Sequence, residues 1–494
     1  MISRLTAKAG RLPRKVAQRF GWGLADQAMC SVSNAAVSFY VARELGATEF
    51  GAFTLAYVTY SFALTASRGL ATDPFLVRFS GTDVATWRRA AAQCTGTALV
   101  TGLVAGSLAL AAAAVLHGST KLAFLALGLT LPGLMLQDSW RYSFFALGRG
   151  NKAFINDAVW TLTLVPPLLL LRIFHYNSVF WLMAAWGAAA TLAACFGALQ
   201  ARVMPRPAHV WTWVSRHRDL GLRYLVENTS NSGAGQLRAY GLGAIAGLDA
   251  VGYVQAAALL MGPFLVIFLG MSLVTVPEAT RILRQSPERL RLYCVAVGVG
   301  LATLGLAWGG ALLVALPRGL GSLLLGPNLW RPASHLVVPY TFSVMGFCLI
   351  AGATAGLHAL GAAKRSLRAM IISSVIYLGS TLTGAYLAGA VGTVRGAAVA
   401  TWLGAVVWWW QLGVAMRESD RIPEHKSVWL GRVRGLRTRA AVTPVAAAPA
   451  PADRPPQTSS SPRLSAQLIA RLGAAARRFR SARPGGPTAA WRPP

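Results

Sequence analysis

The sequence predicts an all-α polytopic membrane protein, with about twelve transmembrane helices in two six-helix repeats and a basic cytoplasmic tail. Three observations carry this expectation. The 494-residue chain is 54% hydrophobic and only 13% charged, with a mean hydropathy of +0.49; a soluble domain would be nearer 25% charged. Apolar segments of about 20 residues, the length a helix needs to cross hydrocarbon, recur along the chain. A pattern in the first 80 residues also returns about 200 residues later. Together these exclude a soluble globular enzyme.

The chain is organised around residues 22–78, an apolar segment, a tight turn and a second apolar segment. The first segment carries a polar stripe of Asp26, Gln27, Cys30, Ser31, Ser33, Asn34 and Ser38. At about 100° per residue these fall on one face about 160° wide. A membrane helix with one polar face turns it toward a bundle interior or a water-filled cavity. The turn is RELGATEFG, from Arg43 to Gly51, and the second segment ends at Asp73-Pro74 and Arg78. Asp26-Gln27 matches Glu227-Asn228 and Phe50-Gly51 matches Val251-Gly252, both at an offset of 201. Pro74 and Arg78 match Pro277 and Arg281 at 203, and Ala146-Leu147-Gly148 matches Ala359-Leu360-Gly361 at 213. Ordered matches with slowly growing offsets point to two related halves, a plan that secondary transporters use with the substrate site at the repeat interface.

Taken in order, residues 1–20 form a basic amphipathic segment suited to the inner membrane surface. Spans are expected near 22–41, 50–75, 90–116, 121–147, 153–171, 178–200, 221–246, 250–277, 291–316, 333–357, 366–388 and 395–416. The N-terminal half is thus 21–200 and the C-terminal half 221–416, joined by a cytoplasmic connection at 201–220, where Trp211 and Trp213 sit among arginines as in an interfacial segment. The longest loop on the other side is expected near 317–335. One alternating set of loops, with the N-terminal segment, holds 23 Lys/Arg, and the other set holds 6. This bias places both termini on the cytoplasmic side of the membrane. No cleavable signal peptide is apparent. The five cysteines lie inside expected spans without CxxC spacing, so they read as small core residues and not as disulfides or metal ligands.

Residues 417–494 are rich in Pro, Ala and Ser and contain 15 Lys/Arg against 4 Asp/Glu. This composition is that of a largely disordered tail. Within it, residues 463–480 place leucines at helical spacing among arginines, as in an amphipathic helix on anionic inner-leaflet lipids. No RNA-binding motif accompanies the charge, so nucleic acid is not an expected partner.

Buried ionisable groups in a bilayer are costly and are candidates for function by default. The first and seventh spans offer Asp26 and Glu227. In the seventh, Glu227, Asn231 and Arg238 lie within about 40° on one face, with Arg238 deep in the membrane. The second span offers Arg68 and Asp73, and the fourth offers Asp138 and Arg141, whose i,i+3 spacing allows an internal salt bridge. Asp157 lies in the fifth. Arginines in a cavity suit bidentate phosphate contact. The candidate substrate site is therefore Asp26, Arg68, Asp138, Arg141, Glu227, Asn231 and Arg238. No P-loop, zinc spacing or nucleophile elbow is present, so no catalytic residues, metal or cofactor are expected.

The stretch FGWGLADQAMCSVSNAAVSFYVARELGATEFGAFTLAYVTY, followed by RGLATDPFLVRFS, resembles the N-terminal region of polysaccharide-exporting proteins of the MOP superfamily. These are O-antigen and capsule-type flippases, related to MATE exporters and the lipid II flippase. The turn RELGATEFGAF is its most recognisable piece, and the resemblance extends over about residues 15–416. It implies a MATE/MOP-like V-shaped cavity between two halves that alternate access. It also implies transfer of a polyprenyl-diphosphate-linked oligosaccharide from the cytoplasmic to the outer leaflet for cell-surface polysaccharide biosynthesis, with polysaccharide-assembly proteins as possible partners. A MATE-type ion-coupled small-molecule exporter is the alternative, with a membrane scaffold and a glycosyltransferase-associated protein behind it. The first is disfavoured by arginines inside the spans, and an enzyme by the few acidic residues outside.

Overall fold

The computed structural model describes residues 14–421, excluding the side chains of 14–20, 230–232, 272–273 and 419–421. Most of the basic N-terminal segment and the tail, including the helix expected near 463–480, lie outside the described residues. The described chain is helical without strands, so it is an all-α polytopic membrane protein. By length and apolarity alone, eight of its helices can cross a membrane.

The elements are α1 (Arg14–Glu44), α2 (Ala47–Ser67), α3 (Asp73–Phe79), α4 (Val84–Val115), α5 (Gly118–Ala146), α6 (Gly150–Ile173), α7 (Val179–Ala201), α8 (Val210–Leu260), α9 (Gly262–Gln285), α10 (Leu290–Ala315), α11 (Gly321–Ala359) and α12 (Ala363–Arg421). Three of these are pairs of rods joined through a break. Gly247 (φ 84°) divides α8, Gly326 (φ 74°) divides α11, and Ala388-Gly389 (Gly389 φ 55°) divides α12. Glycine takes positive φ without a Cβ penalty, and Pro327 after Gly326 starts the next rod with the φ a first helical turn needs. A helical segment thus stands at each expected span.

Two expectations are corrected. Residues 317–325 are mostly wound, as a π turn (Leu316–Leu320) and the start of α11, where a loop is expected; between the breaks at Gly319 and Gly326 the backbone bonds helically and leaves fewer polar groups unsatisfied. Residues 210–220 are the first turns of α8, not a loop. Trp213 in that stretch is buried against Phe75, Phe79 and His217, whereas Trp211 is exposed.

The burial of Trp213 has a local cause. Pro74 has no N–H, so it cannot bond the carbonyl of Leu70. The chain winds a π turn there (Arg68–Thr72), and the Trp213 indole N–H donates to Leu70 O at 3.2 Å. Arg78 donates to Asp219 at 2.7 Å, and Asn228 to Asp73 at 2.9 Å. α8 then runs the length of α2, with Tyr240 against Thr59 and Gly243 against Leu55.

At the far end of this seam the turn between α1 and α2 meets the break in α8. The offset of 201 relates Ala47 to Leu248, Thr48 to Asp249 and Gly51 to Gly252. Thr48 donates to Asp249 at 2.5 Å. Gly51 packs on the Leu248 carbonyl and Gly252 on that of Ala47. Such a reciprocal contact has the form of an isologous interface about a two-fold axis. Arg43 closes the same end, donating to Leu323 O at 3.1 Å.

Elsewhere the bundle packs through small side chains, as membrane helices do when lipid removes the hydrophobic drive between them; Ala126, Ala189, Ala190 and Ala193 are buried, while Leu108, Leu169 and Val399 face outward. A Cβ at Gly51 or Gly252 would overlap a backbone carbonyl. Gly51→Val and Gly252→Val should each lower stability by about 1–3 kcal/mol, read as a drop in the midpoint of thermal unfolding in detergent. Gly379→Ala, at a position with no atom within 4 Å of the new Cβ, should not lower it.

Candidate functional site

Two polar regions lie inside the bundle. In the first, α1, α2, α5 and α6 bring three carboxylates to two guanidiniums. The π turn presents Arg68 to Asp138, which accepts from Nε at 3.0 Å and from Nη2 at 2.7 Å. Arg68 also lies over the Tyr142 ring, 4.9 Å from its centroid. One turn along α5, Arg141 donates from Nε and Nη2 to Asp26 at 2.8 and 2.6 Å, and its Nε lies 3.1 Å from Asp157. Asp138 and Arg141 therefore do not pair with each other, as their spacing allows. Each reaches a neighbouring helix, where an opposite charge already sits in the interior.

Asp157 is held by Gln137 at 2.6 Å and by the Cys30 thiol at 2.7 Å. Asp26 is fully buried, and its Oδ1 has no hydrogen-bond partner. The ligand atoms of Asp26, Cys30 and Asp157 lie within 4.8 Å of one another. With one carboxylate more than the guanidiniums can neutralise, this cluster can take up a proton or a small cation.

The second region is a cavity of about 480 Å³ between α1, α2 and α8. Asn34 and Ser38 of the α1 stripe line it, with Tyr57 and Ser61 of α2 and Gln236, Arg238 and Gln255 of α8. Among the described residues, no carboxylate does. Arg238 also reaches a smaller adjoining pocket of about 170 Å³ lined by Tyr340, Tyr377 and Phe264. Arg238 Nε and Gln236 Nε2 are buried without a hydrogen-bond partner. Among the described residues, Arg238 makes no ion pair.

The structure thus places Asp26, Arg68, Asp138 and Arg141 in two neighbouring ion-pair groups, Arg68 with Asp138 and Arg141 with Asp26, and sets Arg238 apart. Glu227 joins neither: it is exposed, makes no hydrogen bond or ion pair among the described residues, and sits eleven residues from Arg238, about 16 Å along the axis. Its match to Asp26 in sequence is not a match in environment. The Asn231 side chain lies outside the described residues. Asp157, Gln137, Gln236, Tyr340 and Tyr377 complete the two regions. Gln236 stands two residues from Arg238, a spacing that does not share a face on an ideal helix, and the tyrosines come from distant spans, so neither gave a sequence signal.

The charge imbalance has a consequence for stability. Arg141→Met leaves two buried carboxylates without their cation and should cost about 3–5 kcal/mol. Asp26→Asn leaves Arg141 paired with Asp157 and should cost about 1 kcal/mol or less, and adding it to Arg141→Met should recover part of the loss. Thermal unfolding of the three variants in detergent measures this.

No family model and no curated relative matches the sequence. Among solved structures the chain is similar to a multidrug resistance MATE family transporter of the MOP superfamily in its inward-facing conformation. The identity is 14%, the TM-score 0.60, and the match covers 80% of this chain and 96% of that one. It is also similar to the lipid II flippase MurJ in an inward closed conformation, with 10% identity, TM-score 0.58 and coverage of 80% and 87%. A MATE structure in the straight conformation gives 14%, 0.51, and 83% and 97%. At such identities the likeness is one of fold: the chain has the architecture of MOP-superfamily transporters.

Proposed function

We propose that this protein is a flippase, not an enzyme. It carries a polyprenyl-diphosphate-linked oligosaccharide from the cytoplasmic to the outer leaflet of a bacterial inner membrane, by alternating access, for cell-surface polysaccharide synthesis. The observation that carries this reading is the pair of unsatisfied buried donors, Arg238 Nε and Gln236 Nε2, in a cavity without carboxylates. A buried cation lacking a partner is costly, and a diphosphate supplies both charge and acceptor-only oxygens. Asn34, Ser38, Ser61 and Gln255 offer the hydrogen bonds that a sugar needs. Arg68 and Arg141, by contrast, are neutralised by their own carboxylates, so the grip on the anion falls mainly to Arg238.

The α1–α2 turn against the α8 break serves as the outer gate, with both termini cytoplasmic as the loop charges predict. The likeness to MurJ supports a lipid-linked cargo. The likeness to MATE transporters, with the surplus carboxylate of Asp26 and Asp157, supports the second reading, an ion-coupled exporter of small cations.

In liposomes with a fluorescent polyprenyl-diphosphate oligosaccharide, the wild type should move the probe to the opposite leaflet. Arg238→Gln should slow this about tenfold or more, the worth of a charge-assisted contact, without lowering the unfolding temperature. Undiminished transfer in Arg238→Gln, or cation efflux with no lipid transfer, would overturn the proposal.

A further inference from the structure

A different cationic site lies at the face of the bundle that carries the basic loops, and it shares no residue with the Arg238 cavity. A cavity of about 430 Å³ opens between the start of α4, the α5–α6 turn and the end of α7. Arg88, Arg149, Lys152 and Arg202 line it, and among the described residues no carboxylate does. The neighbouring acid, Asp83, is engaged in capping α4, accepting from the N–H groups of Ala85 and Thr86 at 3.0 Å. Lys152 donates to Gln200 O at 2.8 Å. Among the described residues, Arg88, Arg149 and Arg202 make no ion pair and no side-chain hydrogen bond.

Two features of the backbone bear on the same spot. α6 begins beside the cavity, and its N-cap residue, Arg149, provides no side-chain cap, so the positive end of the helix dipole adds to the cations. α7 ends on Arg202 in the left-handed region (φ 52°, ψ 46°). Glycine is the usual residue at such a terminus, because a Cβ is strained there. The chain instead places an arginine there, and its side chain completes the cluster.

We propose that this pocket binds a phosphate group, either on a lipid headgroup of the adjoining leaflet or on a soluble phosphorylated compound. Four cations held together without a counter-charge repel one another, and basic pockets between membrane helices at the cytoplasmic side accept phosphate headgroups in this way. The phosphate oxygens take the free guanidinium donors of Arg88, Arg149 and Arg202, while Lys152 stays tied to the end of α7.

The test uses the purified, delipidated full chain in neutral detergent. Cardiolipin, phosphatidylcholine and inorganic phosphate are titrated separately, with thermal unfolding and native mass spectrometry as readouts. Cardiolipin or inorganic phosphate should raise the unfolding temperature and bind one to one; which of them does so identifies the source. Arg149→Gln and Arg202→Gly should each weaken binding about tenfold. Arg202→Gly relieves the strained backbone, so its unliganded unfolding temperature should hold or rise, which separates lost binding from lost folding. Equal stabilisation of wild type and both pocket variants, or no stabilisation of the wild type by either phosphate probe, would overturn the assignment.

Discussion

A guanidinium inside a helix bundle wrapped in hydrocarbon needs an opposite charge, and the structure depends on how each arginine meets that need. Near α5 the answer is internal. Arg68 is gripped by Asp138, and Arg141 bridges Asp26 and Asp157. These contacts join α1, α2, α5 and α6, so the network fixes how the helices of that region pack. In the central cavity the need is left open. Arg238 is surrounded by hydroxyl and amide groups that cannot neutralise it, and its Nε has no acceptor. The first arrangement ties helices together; the second leaves a buried cation without an ion-pair partner among the described residues, the charge that the proposed anionic cargo would supply.

The rest of the fold holds that cavity between two ends. At one end the π turn forced by Pro74 leaves a carbonyl that the Trp213 indole takes up, which anchors the start of α8 to α2. At the other end repeat-related residues meet across a contact that tolerates no Cβ at Gly51 or Gly252. α8 runs between these ends along α2, and Arg238 stands on it. A movement that parts the glycine contact would therefore shift the wall that carries the candidate anion site, which is how the proposed outer gate would couple to a cargo.

Much of the architecture was legible in the sequence because bilayer physics writes it there. Apolar length marks the spans, and glycine marks the breaks, so that the division between the seventh and eighth spans falls at Gly247. The polar face of the first helix also announced its interior position, with Asp26 now seen at full burial. Partner choice was not legible. Asp138 and Arg141 sit at a spacing that allows a pair, yet each prefers a charge on another helix, a fact that exists only once α1, α2 and α6 are packed. Glu227 matches Asp26 by register but lies on an exposed face. Trp213 sits among arginines like an interfacial residue but is drawn inward by an unsatisfied carbonyl. The tyrosines around Arg238 come from α11 and α12 and converge only in three dimensions.

The most direct test of the central claim, that Arg238 awaits the charge of the cargo while Arg68 and Arg141 do not, is an experimental structure of the protein loaded with a polyprenyl-diphosphate oligosaccharide. The account predicts phosphate oxygens within hydrogen-bond distance of the Arg238 guanidinium and of Gln236, with the Arg68–Asp138 and Arg141–Asp26 pairs intact. A diphosphate seated on Arg68 or Arg141 with those pairs broken, or a cavity in which Arg238 has no anionic partner, would contradict it.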